Sequence, residues 1–111
     1  CAPGFVAVTT EHCIEPQSRS ALDFFDANLQ CAEIGARLCT LAEWSRGCAT
    51  VPGFMSTVLD MEWVDSAANS ANYAKTMGTG EDGSGGSGTD CIYGGLRLPT
   101  IPNRFRCCMN K

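Results

Sequence analysis

At 111 residues, with 44% apolar and 18% charged residues, the chain suffices for one domain with a modest core, and its composition excludes a disordered tail. No apolar run approaches the roughly 20 residues that span a bilayer, and a formal net charge of −4 without a basic stripe excludes nucleic acid as a partner. Eight cysteines without a Cys-x-x-Cys knuckle, beside a single histidine, predict disulfides in an oxidising, extracellular setting rather than a zinc site.

The chain opens on Cys1 rather than Met and reads as a processed or excised piece. Gly4-Phe5-Val6-Ala7-Val8 and Cys13-Ile14-Glu15 predict a hairpin about a polar turn, with Cys1 and Cys13 opposite each other. Ser20-Ala21-Leu22-Asp23 resembles a capping box, so a helix is expected from there to about Ile34, stopped by Gly35. Its apolar residues form two stripes, Leu22, Phe25, Leu29 and Ala32 on one and Phe24, Ala27 and Cys31 on the other, which predicts burial on both sides. Thr40-Leu41-Ala42-Glu43 starts a second helix with a full capping box, with Leu41, Trp44 and Cys48 on its inner face.

Met61-Glu62-Trp63-Val64-Asp65 reads as a strand, and residues 66–76 are polar and ambiguous. Gly78 to Gly88 holds six of the twelve glycines and predicts a long exposed loop. Cys91-Ile92-Tyr93 suggests a short strand, and Arg104 to Met109 a last one, with Phe105, Cys107 and Met109 on one face and Arg106 and Cys108 on the other. These placements predict disulfides Cys1–Cys13 across the hairpin, Cys39–Cys48 across the second helix, Cys31–Cys107 and Cys91–Cys108. Exchanging the partners of Cys31 and Cys91 is the nearest rival.

Gly35-Ala36-Arg37-Leu38-Cys39-Thr40-Leu41-Ala42-Glu43-Trp44, Met61-Glu62-Trp63-Val64-Asp65 and Arg104-Phe105-Arg106-Cys107, in that order, resemble formylglycine-generating-enzyme-type domains within the wider C-type-lectin-like fold. The resemblance implies a compact α+β fold with four disulfides, two helices on a small twisted antiparallel sheet, and an irregular loop region over about 66–90. The enzymes' catalytic cysteine pair, four residues between its members, has no counterpart, because Cys91 stands alone in that interval. The resemblance therefore implies a non-enzymatic extracellular binding module, similar to adhesive tip domains of bacterial or bacteriophage surface fibres. Its expected target is a cell-surface glycan or protein. A homotrimeric structural cap without its own ligand is the alternative, and a thiol oxidoreductase using Cys107-Cys108 a weaker one.

Gly78-Thr79-Gly80-Glu81-Asp82-Gly83 spells a dinucleotide fingerprint but lacks the flanking strand and helix, and its adjacent carboxylates would repel phosphate. Gly85 to Tyr93 matches one calcium nonapeptide, which binds only when stacked in several copies. Asp82 and Asp90 are the carboxylates that could ligate calcium with loop carbonyls, although a solvated loop without any cofactor is the favoured reading. Ile101-Pro102-Asn103 lacks the acidic residue of the lectin calcium triplet. His12 reads as a turn histidine, and Trp44 and Trp63 as core. The expected ligand-binding residues are Asn69, Asn72, Tyr73, Lys75, Tyr93 and Asn103, a polar and aromatic set on the loop side.

Overall fold

The computed structural model describes residues 1–68, 70–78 and 91–111. Among the described residues, nine strands and two helices follow one another as β1 (Val6–Ala7), β2 (His12–Ile14), β3 (Arg19–Leu22), α1 (Phe24–Glu33), β4 (Arg37–Leu38), α2 (Leu41–Thr50), β5 (Glu62–Trp63), β6 (Ala74–Met77), β7 (Gly94–Arg97), β8 (Asn103–Phe105) and β9 (Cys107–Asn110), with a short 3₁₀ turn at Phe54–Thr57. The strands make two sheets, ordered β1-β2-β9-β4 and β3-β8-β5-β6-β7. The expected single antiparallel sheet is thus two, and β5 runs parallel to β8, with Glu62 beside Arg104 and Trp63 beside Phe105. This is the expected α+β C-type-lectin-like architecture.

The segment 103–110 passes from one sheet to the other at Arg106, and its alternation separates two cores. Phe105 and Cys107 join Ala27, Cys31, Leu38 and Trp63, while Cys108 joins Ile14, Trp44, Phe54, Val58 and Met77. The outer hairpin forms as expected, with Val6 opposite Ile14 and Ala7 opposite Cys13.

Helix α1 begins three residues later than its sequence suggests. Asp23, not Ser20, is the cap, its carboxylate accepting from the Asp26 backbone N–H at 2.8 Å. Asp and Ser cap equally well, so the surroundings decide: Arg19 and Leu22 pair with Phe105 and Asn103 of β8, which holds residues 19–22 extended. The helix ends as expected, Gly35 standing at φ 76° where a side chain would be strained. Only one of its two apolar stripes is buried. Ala27 and Cys31 are enclosed and Phe24 meets Trp63 edge to face at 5.6 Å, whereas Phe25 and Leu29 are 61% and 57% exposed.

Helix α2 carries the capping box its sequence announces. The Thr40 hydroxyl accepts from the Glu43 backbone N–H at 3.1 Å, and Glu43 Oε1 accepts from the Thr40 backbone N–H at 2.9 Å. The other Glu43 oxygen pairs with Arg37. Burial alone would push the Glu43 carboxyl up, but the Thr40 backbone hydrogen bond, the hydrogen bond and charge of Arg37, and the charge of His12 together hold it below the ordinary glutamate value.

Four disulfides are present: Cys1–Cys13, Cys31–Cys107, Cys39–Cys108 and Cys48–Cys91. The first two are as predicted, but the expected Cys39–Cys48 and Cys91–Cys108 bonds are replaced. Nine residue steps of largely helical chain part Cys39 from Cys48, a rise of roughly 13 Å, well beyond the limit of about 7 Å between bridged Cα atoms. Cys39 instead lies beside β9, its backbone N–H reaching the Arg106 carbonyl at 3.3 Å, and its Cα is 4.9 Å from that of Cys108. Cys91 is held on α2, where the Ser45 hydroxyl donates to its carbonyl at 2.8 Å, within reach of Cys48 one turn further on.

Between the cores lies a polar cluster. Glu62 and Arg106 have side chains with 0% exposure and pair through Glu62 Oε1 at 2.8 Å and Oε2 at 3.1 Å. Trp44 Nε1 also donates to Glu62 at 3.0 Å, Arg106 donates to the Pro16 carbonyl and the Thr57 hydroxyl, and its guanidinium lies 3.8 Å over the Phe54 ring. Every side-chain nitrogen and oxygen of the pair thereby has at least one partner, as a charge removed from water requires.

Candidate functional site

The loop-side surface is built on the β6–β7 hairpin. Ala74 pairs with Arg97, Lys75 with Leu96, Thr76 with Gly95 and Met77 with Gly94, and β5 covers the other edge of β6. Strand β6 arises in the stretch whose sequence was ambiguous, because Ala-Lys-Thr-Met has little strand preference and becomes a strand through its two neighbours. The expected strand at residues 91–93 is displaced to Gly94–Arg97. Gly94 explains the shift: a side chain there would collide with the Thr76 carbonyl and the Met77 sulfur, so close pairing begins at a glycine.

Both feet of the segment between these strands are fixed. The Gly78 backbone N–H donates to the Tyr93 carbonyl at 3.2 Å, and Cys91 is bonded to Cys48 of α2. Gly78 itself has φ 97° and lies against Val58 and Asp60, which reserves the position for glycine. The remainder of the expected glycine-rich loop, with Asp82 and Asp90 of the calcium reading, lies outside the described residues, as does Asn69.

Of the expected ligand-binding residues, the structure brings Asn72, Tyr73, Lys75 and Tyr93 to this hairpin. Asn72 is an exposed turn residue at φ 66°, a left-handed conformation that asparagine tolerates. It turns the chain into β6 directly before Tyr73, which is 46% exposed. Lys75 and Tyr93 are half-buried, and Lys75 stands across from Leu96. Asn103 lies apart from them: it is 5% exposed in β8 and its amide donates to the Ile101 carbonyl at 3.4 Å, beneath the surface. Ile92 and Leu98, at either end of β7, are exposed apolar residues that sequence reasoning passed over.

The surface offers an aromatic ring, an ammonium group, amides and exposed apolar side chains, a set suited to contact rather than to bond-making. Among the described residues there is no cluster of three or more His, Cys, Asp or Glu side chains able to hold a metal ion. His12 is in β2, half-buried, with Nδ1 2.9 Å from the Thr9 hydroxyl, so it is a strand residue rather than the expected turn histidine. Cys107 and Cys108 are bonded to different partners, and no cysteine is free. The vicinal bond on which an oxidoreductase at that pair would rely is not formed.

Neither a protein-family model nor a curated protein matches this chain. Solved structures do resemble it. EMS16, described as an antagonist of the collagen receptor integrin α2β1, is 15% identical, with a TM-score of 0.67 over 100% of both chains. The C-type-lectin-like domain of mouse CD72a is 10% identical, with a TM-score of 0.64 over 99% of this chain and 93% of that one. Botrocetin is 13% identical, with a TM-score of 0.63 over 99% of this chain and 98% of the other. The fold of this chain is C-type-lectin-like.

Proposed function

We propose that the domain is a non-enzymatic, extracellular binding module that recognises a cell-surface glycan or protein through the β6–β7 face. The observation that carries this reading is the hairpin itself. Exposed Tyr73 directly precedes β6, which carries Lys75 and is paired on both edges, and the segment that leaves the hairpin is fixed at both feet by Cys48–Cys91 and the Gly78–Tyr93 hydrogen bond. Recognition groups on a rigid support lose little entropy on binding. Asn72 extends the contact surface, whereas Asn103, two strands away in β8, lies apart from it. That one structural neighbour is described as an integrin antagonist favours a protein target within this reading.

In its finer form, the domain is the adhesive tip of a fibre. The exposed Phe25 and Leu29 of α1 favour self-association there, either as an adhesive homotrimer or as a cap without its own ligand. Sedimentation of the isolated domain tests the assembly, and a glycan array together with cell attachment tests the ligand. Replacing Tyr73 and Tyr93 by Ala is expected to weaken attachment while leaving the melting temperature nearly unchanged. Attachment that survives the substitution places recognition elsewhere and overturns the reading.

A further inference from the structure

A small pocket lies away from the hairpin, between the turn before β3, the 3₁₀ turn and β8. It encloses about 210 Å³ and is lined by Gln17, Ser18, Ser56, Thr57, Leu59 and Arg104. Strand β5 separates β8 from β6, so this pocket and the Tyr73 surface are on different parts of the sheet.

Arg104 gives the pocket its character. Ser18 fixes the guanidinium on one side, its hydroxyl accepting from Nε at 2.8 Å and its carbonyl from Nη2 at 3.3 Å. The Nη1 hydrogens have no protein acceptor among the described residues, and no carboxylate there pairs with Arg104. The other arginine of this strand path, Arg106, is neutralised by Glu62. Arg104 is thus a half-buried, oriented and uncompensated cation facing a small pocket, and a guanidinium in that state is a carboxylate receptor.

The rest of the lining narrows the ligand. The Ser18 hydroxyl accepts from Arg104 and keeps its own hydrogen to donate. The Ser56 hydroxyl donates to the Gly53 carbonyl at 2.7 Å and keeps its lone pairs, and Gln17 adds an exposed amide. Leu59 supplies an exposed apolar edge. One cation, several neutral hydroxyl and amide groups and one apolar edge match a carboxylate carried on a polyol ring. The volume is below the 300–1,000 Å³ usual for larger ligands and suits a single ring.

We propose that this pocket binds an acidic monosaccharide, with Arg104 receiving the carboxylate and Ser18, Ser56 and Gln17 the ring substituents. The site stands independently of the Tyr73 surface, and either can fail without the other.

The test is an NMR titration of the oxidised, isotope-labelled domain with N-acetylneuraminic acid and glucuronic acid, alongside their methyl esters, galactose and acetate. At least one acidic sugar is expected to give saturable shifts at the backbone amides of Ser18, Ser56, Thr57 and Arg104, with a dissociation constant on the order of 1 mM. Its ester should lose about tenfold or more in affinity, as expected when a charge-assisted hydrogen bond is removed. Arg104→Gln should lose a similar factor, and the ester comparison holds even where that variant folds poorly. Equal binding of acid and ester, binding that survives Arg104→Gln, acetate as tight as the sugar, or no saturable shift with either acid would each overturn the proposal.

Discussion

At the scale of single residues, the buried Glu62–Arg106 pair joins elements that no local signal connects. Glu62 lies in β5, Arg106 at the crossing between β8 and β9, Trp44 in α2 and Thr57 in the 3₁₀ turn. Removing one charge leaves the other buried and unmatched, which typically costs about 3–5 kcal/mol. Arg106→Met is therefore expected to lower unfolding free energy by that amount, measured by denaturant titration at pH 7. The double variant Glu62→Leu with Arg106→Met should recover part of the loss, because the stranded carboxylate is gone, although Trp44 and Thr57 still lose partners. A single variant within about 1 kcal/mol of the parent, or a double variant less stable than the single, would show that the pair does not hold these elements together. The sequence analysis set Arg106 on the face opposite Phe105 and found the alternation correctly. It could not supply Glu62 as the partner, since they are 44 residues apart in the chain.

At the scale of elements, legibility follows how local the stabilising contacts are. Helix α2 was readable to its first residue because its capping box lies within four consecutive residues, Thr40 to Glu43. Helix α1 was misplaced at its start because β8, more than 80 residues away, takes Arg19 to Leu22 as a partner strand. Strands β6 and β7 were the least legible: one is made by its neighbours, and the other is positioned by what Gly94 lacks. Polarity and an aromatic ring singled out Asn72, Tyr73 and Lys75 without knowledge of the pairing, and the structure places them together at the start of β6. Asn103 was included as a polar residue near the loop side, and the sheet buries it.

The α2 cap also sets a pH response. The Glu43 carboxyl has a folded value below the ordinary 4.5, so its contribution to stability is complete above that ordinary value. It is lost as pH falls through the lowered folded value, where the folded state takes up the proton. Melting curves of the parent and of Glu43→Gln should therefore lie furthest apart above the ordinary 4.5 and converge as pH falls below it through the lowered folded value. A gap that stays constant across that range would mean the capping carboxylate acts through shape alone.

At the scale of the whole molecule, four covalent bonds stand in for core size. Reading their pairing from sequence succeeded where a hairpin or the inward alternation of Phe105 and Cys107 dictated it, and failed where helix rise had to be weighed. The bonds are also not independent. Cys31–Cys107 and Cys39–Cys108 close loops of 76 and 69 residues that almost coincide. In the chain-entropy view, closing either loop alone restricts the unfolded chain by about 4.5 kcal/mol. With one already closed, the second closes only a small ring, the eight residues from Cys31 to Cys39 and the one step from Cys107 to Cys108. A ring of roughly nine residues contributes only about 2.5 kcal/mol in the same treatment. Replacing either pair by Ala should therefore cost about 2.5 kcal/mol, whereas replacing both should cost about 7, within the 5–15 kcal/mol that stabilises a typical domain. Each single-pair variant should melt cooperatively at a lowered temperature, and the variant lacking both pairs should be unfolded or nearly so at 37 °C. Denaturant titrations of the three variants measure the coupling directly. Additive losses would mean that the two bonds act through separate local contacts in the native state rather than through one shared loop of the unfolded chain.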